Sequence, residues 1–234
     1  MLTHIPFTQL FKADHGWLKK SSFHFSYAEY LDRNNTHYGA LRVMNDDFIA
    51  PHTGFDTHPH KDMEIVTYIL RGELTYQDSM RNNERLGRGS MQYLSAGTGI
   101  RHTEHNEGDE EVHLIQIWIL PSATGLTPEY ESKIFTLEER QNFWLHLIGP
   151  KGTKGVTHIS QDTNMYVSEV EKGKVLDFDL QKGRQLYIKV MEGSAEINGV
   201  TFVQGDAGKL SGVTLNVKAL SDVHILLVEM QEIT

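Results

Sequence analysis

The chain has 234 residues, with 31 acidic and 22 basic side chains and a formal charge of −9. An acidic surface repels phosphate backbones, so direct DNA or RNA binding is not expected, although a protein partner is not excluded. The absence of cysteine removes disulfides and thiolate metal sites together, leaving nitrogen and oxygen to hold any metal.

The opening residues, Met1-Leu2-Thr3-His4-Ile5-Pro6-Phe7, lack a basic start followed by a long apolar run, so no signal peptide is expected. No apolar stretch approaches the ~20 residues that cross a bilayer. A cytoplasmic protein without a membrane role is the expectation. Histidine is the unusual count, at 13, and several fall between His52 and His113.

Along the chain, the first informative stretch is Gly54-Phe55-Asp56-Thr57-His58-Pro59-His60-Lys61-Asp62-Met63-Glu64. Histidines at i and i+2 share one face of an extended chain, so two imidazoles can converge on one ion. Pro59 suits an edge or irregular strand. Glu64 keeps the same parity if the strand stays regular, which would place it near the site.

Short runs rich in β-branched and aromatic residues follow, bounded by turn formers: Glu64–Leu70 and Glu73–Tyr76. The next stretch, Gly97 to Asn106, carries His102 and Glu104 on one face and Thr103 and His105 on the other. Two such pairs from neighbouring strands give three histidines and a carboxylate. This nitrogen and oxygen set suits Fe(II), Mn(II), Ni(II), Cu(II) or Zn(II), with Fe(II) favoured. His52, in a loop, and His105, at the wrong parity, are read as non-ligands. So is His113, placed on the inner sheet or as a hydrogen-bond partner beside the site. His15, His24, His37, His146, His158 and His224 show no ligand spacing.

Beyond Val112–Leu120, another strand, the best helix candidate is Leu137 to about Leu145, with Thr136 and Glu139 as a capping box. The remaining runs, Gln185–Val190, Glu196–Val203 and Val223–Met230, are again strands. The chain therefore reads as all-β with few short helices.

The two halves repeat. Gly72-Glu73-Leu74-Thr75-Tyr76 matches Gly193-Ser194-Ala195-Glu196-Ile197, and Gly89 before Leu94-Ser95 matches Gly205 before Leu210-Ser211. Two similar domains are expected, 1–135 and 136–234. Carried across at these offsets, His58, His60 and Glu64 fall on Asp179, Gln181 and Gln185, and His102 and Glu104 on Lys218 and Leu220. A metal is thus expected in the first domain and not in the second.

These motifs resemble a known superfamily. Gly54-x3-His58-x-His60-x3-Glu64-x7-Gly72 looks like the first cupin motif, with a shortened glycine spacing. Gly89-x5-Ser95-Ala96-Gly97-Thr98-Gly99-x2-His102-x3-Asn106 looks like the second, with serine in a usual proline position. Within the cupins, His58-Pro59-His60-Lys61-Asp62-Met63-Glu64 together with Gly99-Ile100-Arg101-His102-Thr103-Glu104 resembles the pirin family. The Gln116-Ile117-Trp118 strand, Pro121 and Pro128-Glu129-Tyr130 resemble it too. The likeness spans nearly the whole chain and is strongest to bacterial pirin-like quercetinases.

The resemblance implies a bicupin: two β-barrel, jelly-roll-like domains stacked face to face, with one divalent metal in the first. It implies ligands at His58, His60, His102 and Glu104, with Glu64 displaced to the surroundings of the site or the pocket wall. The implied activity is a quercetin 2,3-dioxygenase, which cleaves a flavonol ring with O2 and releases carbon monoxide, Glu104 serving as ligand and catalytic base. Phe48 and Met91 are candidates for an apolar pocket. The alternative is a non-catalytic, metal-dependent regulatory protein that binds another protein. Other cupin chemistries, such as isomerisation, form a third class, because fold alone does not choose among them. Two barrels in one chain favour a monomer.

Overall fold

The computed structural model describes residues 1–232, and within them only a 3-10 turn at Phe7–Gln9 is helical. Strands β1 (Leu2–Ile5), β2 (Phe11–Ala13), β3 (Leu18–Phe23), β4 (Leu41–Ile49), β5 (Thr53–His60) and β6 (Glu64–Arg71) come first. They are followed by β7 (Leu74–Asp78), β8 (Asn83–Leu86), β9 (Ser90–Ser95), β10 (Ile100–Asn106), β11 (Val112–Ile119) and β12 (Glu129–Ile134). The later strands are β13 (Leu145–Pro150), β14 (Thr157–Ile159), β15 (Thr163–Val170), β16 (Val175–Phe178) and β17 (Arg184–Glu192). The last are β18 (Ser194–Ile197), β19 (Val200–Val203), β20 (Ala207–Ser211), β21 (Leu215–Ala219) and β22 (Val223–Gln231). Among the described residues no helix is long and apolar enough to cross a membrane.

Two compact units form, Phe11–Phe135 and Met1–Leu10 with Thr136–Thr234. The first ten residues do not join the N-terminal half, as a cut at 135 would have them. Instead β1 pairs antiparallel with β20, Leu2 opposite Leu210.

In the unit Phe11–Phe135, a seven-stranded sheet runs β12-β9-β6-β11-β4-β3-β2 and a four-stranded sheet runs β5-β10-β7-β8. They share a core: Ile49, Ile69 and Leu114 of the larger sheet pack with Leu74, Tyr76 and Leu86 of the smaller. The other unit repeats the plan, β1-β20-β17-β22-β15-β13-β14 and β16-β21-β18-β19. Its core joins Ile188, Ile225 and Leu227 to Ile197, Phe202 and Val217. From β4 to β11 and from β15 to β22 the orders correspond strand for strand. Each unit is a jelly-roll-like β-sandwich, and the chain is all-β.

The repeated glycines have equivalent backbone roles. Gly72 and Gly193 both turn at φ 75°, and a side chain there would meet the carbonyl oxygen of Glu111 or Asp222. Only glycine combines that left-handed conformation with so close an approach.

Two expectations are corrected. The capped helix from Leu137 does not form. Thr136 N–H donates to Glu139 Oε2 (2.7 Å) and Arg140 N–H to Leu137 O (3.0 Å), closing one turn. The chain then reverses at Asn142, φ 60°, after Gln141 bridges Glu169, and Leu145 begins β13. The single strand Glu196–Val203 is a hairpin. Asn198 and Gly199 both take positive φ, the Asn-Gly turn that links β18 to β19.

Candidate metal centre

β5 and β10 run antiparallel with His58 opposite His102 and His60 opposite Ile100. Because β5 ends its sheet, Pro59 removes no needed ladder donor. The alternation of a half-buried strand then sends His58 and His60 inward and Thr57 and Pro59 outward. On β10 the same alternation buries Ile100, His102, Glu104 and Asn106 and leaves Arg101 exposed.

The result is a cluster of three imidazoles. One ring nitrogen from each of His58, His60 and His102 lies within 4.8 Å of the others. Ring centroids are 4.3 Å apart for His58 and His102, 4.8 Å for His60 and His102, and 4.9 Å for His58 and His60. His58 Nδ1 faces the Asp56 carbonyl at 2.8 Å, which as a donor there leaves Nε2 with its lone pair free. His102 is 1% exposed, and neither ring nitrogen has a hydrogen-bond partner. A buried imidazole left so is costly unless something else binds it. Burial, reinforced by the neighbouring imidazoles, pushes His60 and His102 down to about 3. They stay neutral with lone pairs available, the form that ligates a metal. These residues fit a divalent ion held by nitrogen.

Glu104 stands beside the three histidines, one bulge further along β10, and outside their 4.8 Å set. It is buried, and Gln116 Nε2 (3.0 Å) and Thr67 Oγ1 (3.5 Å) donate to its two oxygens. Trp118 Nε1 donates to Gln116 Oε1 (3.1 Å), which fixes the amide with its NH2 toward Glu104. Burial raises the Glu104 carboxyl above its ordinary range, against the pull of His58 and of the two hydrogen bonds. Trp118 stands edge-on to His60 and to Tyr27, and Tyr76 edge-on to His102. A cleft of about 410 Å³ lined by His60, Lys61, Ser79 and Arg101 opens at the cluster's edge.

Several expected neighbours lie elsewhere. Asp62 takes φ 49°, so the parity that linked Glu64 to the histidines is broken between β5 and β6. Glu64 accepts the Tyr93 hydroxyl (2.7 Å) on the face of β6 opposite Thr67. His113 is on the face of β11 opposite Gln116, paired with Asp46 (2.6 Å) and stacked on Phe48 at 4.0 Å. Met91 pairs with Tyr68 on that same outer face. Glu64, His113, Phe48 and Met91 therefore do not surround the histidines. His52 pairs with Asp109, and His105 faces Asp56 from the outer side of β10.

In the duplicated unit, Leu215 pairs with Phe178 and Val217 with Leu176, where β10 pairs His102 with His58 and Glu104 with Phe55. By register, His58, His102 and Glu104 correspond to Phe178, Leu215 and Val217, not to Asp179, Lys218 and Leu220. Leu215 and Val217 are buried in that unit's apolar core, and Phe178 packs against it.

Residues missed from the sequence are Thr67, Gln116 and Asp47. The one visible signal is glutamine inside the apolar run Val112–Leu120. Asp47 is buried on the inner face, accepting the Ser21 hydroxyl. Burial, with repulsion from Asp46 and Glu104, raises its carboxyl to about 7 despite that hydrogen bond. A folded value above the unfolded one stabilises at acid pH, and that contribution is lost as pH rises through 7. Asp47→Asn should therefore gain stability over the parent between pH 4 and pH 7 and level off above. The gain should reach on the order of 3–4 kcal/mol in urea titrations of metal-free protein. A difference independent of pH would show that Asp47 is ionised throughout.

Two family profiles match the chain: one described as Pirin over residues 6–119, and a quercetinase C-terminal cupin domain over residues 146–230. A pirin-like protein of Caulobacter vibrioides is 40% identical over 231 residues, 98% of this chain and 99% of the relative. A quercetin 2,3-dioxygenase of Escherichia coli K12 is 40% identical over 221 residues, covering 93% and 94%. The crystal structure of the bacterial pirin YhhW from Escherichia coli in complex with nickel(II) superimposes with a TM-score of 0.93 at 37% identity, covering all of both chains.

Proposed function

Because the chain belongs to the pirin family, we propose that it is a metal-dependent dioxygenase that cleaves flavonols such as quercetin with O2 and releases carbon monoxide. The observation that carries this reading is His102, buried with both ring nitrogens unpartnered, beside His58 and His60. We assign His58, His60, His102 and Glu104 to one divalent ion. The unit Phe11–Phe135 is the metal-binding domain in this reading. A divalent ion there supplies Lewis-acid stabilisation of a developing oxyanion.

The protein's own part is to bind, orient and deprotonate. Glu104 is the base. Its raised carboxyl accepts the proton of the flavonol 3-hydroxyl. Gln116 and Thr67 hold the carboxylate in place, and Trp118 holds Gln116. Trp118, edge-on to His60, and Tyr76, edge-on to His102, frame the histidines with aromatic surface. Lys61 and Arg101 at the cleft favour an anionic product over a neutral one.

The test strips the protein of metal and reconstitutes it with Fe(II), Mn(II), Ni(II), Cu(II) or Zn(II). Loss of quercetin absorbance is followed with oxygen uptake and carbon monoxide release. Metal-dependent turnover with one carbon monoxide per oxygen consumed is the expected result. A filled site that turns over no flavonol with any of these ions rejects the dioxygenase and leaves a metal-dependent binding protein.

A further inference from the structure

Across the larger sheet of the metal-binding unit runs a row of polar side chains set by register. Asn45 pairs with Gln116, Gln116 with Thr67, and Thr67 with Gln92. Directly opposed residues of neighbouring antiparallel strands point to the same face. Gln116 and Thr67 reach Glu104, so Asn45 and Gln92 also face the interior that holds it. Three strand spacings separate the ends of the row, about 14 Å.

Both ends are unmet. Asn45 is 3% and Gln92 1% exposed. Asn45 Oδ1 has no hydrogen-bond partner, and neither Nε2 nor Oε1 of Gln92 has one. The neighbours in the row are committed elsewhere. Gln116 serves Glu104 and Trp118, Thr67 serves Glu104, and Ser132, opposite Gln92 on β12, donates to Glu84. Beyond Asn45 the row ends in the apolar Phe23. A folded chain rarely leaves amides buried and unmet on both sides of a candidate centre unless a ligand or bound water completes them.

We propose that Asn45 and Gln92 are specificity-determining residues that grip a flat, polyhydroxylated aromatic ligand by oxygens on its two sides while its central oxygen faces the histidines. This rests on the dioxygenase reading and names the substrate feature that the site reads. Asn45 Oδ1 accepts from a ligand hydroxyl. Gln92 donates to one ligand oxygen and accepts from a hydroxyl. A ligand lacking those hydroxyls leaves the amides unsatisfied in a dry interior and is rejected.

The experiment measures affinity without turnover. Metal-loaded protein is titrated anaerobically with quercetin and with 3-hydroxyflavone, which keeps only the hydroxyl directed at the centre, and tryptophan fluorescence gives both Kd values. The parent should prefer quercetin at least tenfold. Asn45→Leu and Gln92→Leu should each lower that preference about tenfold and leave 3-hydroxyflavone binding within twofold. Gln92→Met, closer in shape, should also raise the melting temperature of ligand-free protein by about 2–4 °C, because it removes an unmet buried amide. Binding of both flavonols with the same preference in parent and variants overturns the assignment. A lower melting temperature alongside that unchanged preference identifies buried water as the amides' partner. Failure of the loaded parent to bind either flavonol overturns the dioxygenase reading, and this inference with it.

Discussion

Alanine at position 102 is expected to abolish stoichiometric binding of a divalent ion while the protein stays folded. His102 is the buried member of the cluster, opposite His58 on the paired strand and central to both ring contacts. Removing it leaves two half-buried histidines on one edge strand. Affinity should fall by about a thousandfold or more, beyond the 10–100-fold that follows loss of a group merely supporting a ligand. Folding should survive, because the imidazole makes no hydrogen bond in the metal-free chain. His105→Ala is the matched control. It lies three residues on, on the outer side of the same strand, near Asp56. Metal content by mass spectrometry and far-ultraviolet circular dichroism on both variants decide the matter. Full metal in His102→Ala, or equal loss in His105→Ala, would refute the assignment.

Glu104→Gln should separate chemistry from metal binding. The substitution keeps the shape and removes the charge and the basic oxygen. Three histidines remain to hold the ion, so affinity should drop about tenfold or less. Turnover should drop about 10²–10⁴-fold, the usual contribution of a positioned base. Gln116 then faces an amide in place of a carboxylate, so Gln116→Ala in the same background should add little more. Steady-state kcat measured at saturating metal provides the comparison. Unchanged kcat with the site filled would exclude Glu104 as the base.

The histidine cluster was legible because it depends on one periodicity. His58 and His60, like His102 and Glu104, sit two residues apart on half-buried strands, where alternation is faithful. The same rule failed for Glu64 because Asp62, in left-handed conformation, breaks the regular strand on which that parity depends. Thr67, Gln92, Asn45 and His113 were illegible for another reason. β4, β6, β9 and β11 are buried on both faces. Polarity therefore does not alternate along them, and nothing in the chain says which side points inward. The repeat was visible in Gly72 and Gly193, but loops of unequal length shifted its register by β21. That shift is why Leu215 and Val217, not Lys218 and Leu220, stand where the ligands would be. The missing helix at Leu137 was a local preference overruled by pairing, since one capped turn gives way where Gln141 meets β15.

The pairing of β1 with β20 has a consequence for how the molecule is made. Residues 1–10 are synthesised before the whole of Phe11–Phe135, yet their sheet partner, Ala207–Ser211, follows it. Ser211 N–H donates to Met1 O across 210 residues of chain. Until then the leading segment must wait, unpaired, while all of Phe11–Phe135 is made. That unit carries the histidines and needs nothing downstream to complete its two sheets. A nascent chain halted beyond residue 135 therefore already contains every strand that brings His58, His60 and His102 together. β1 takes its place at the edge of the second sandwich only once β20 has been made.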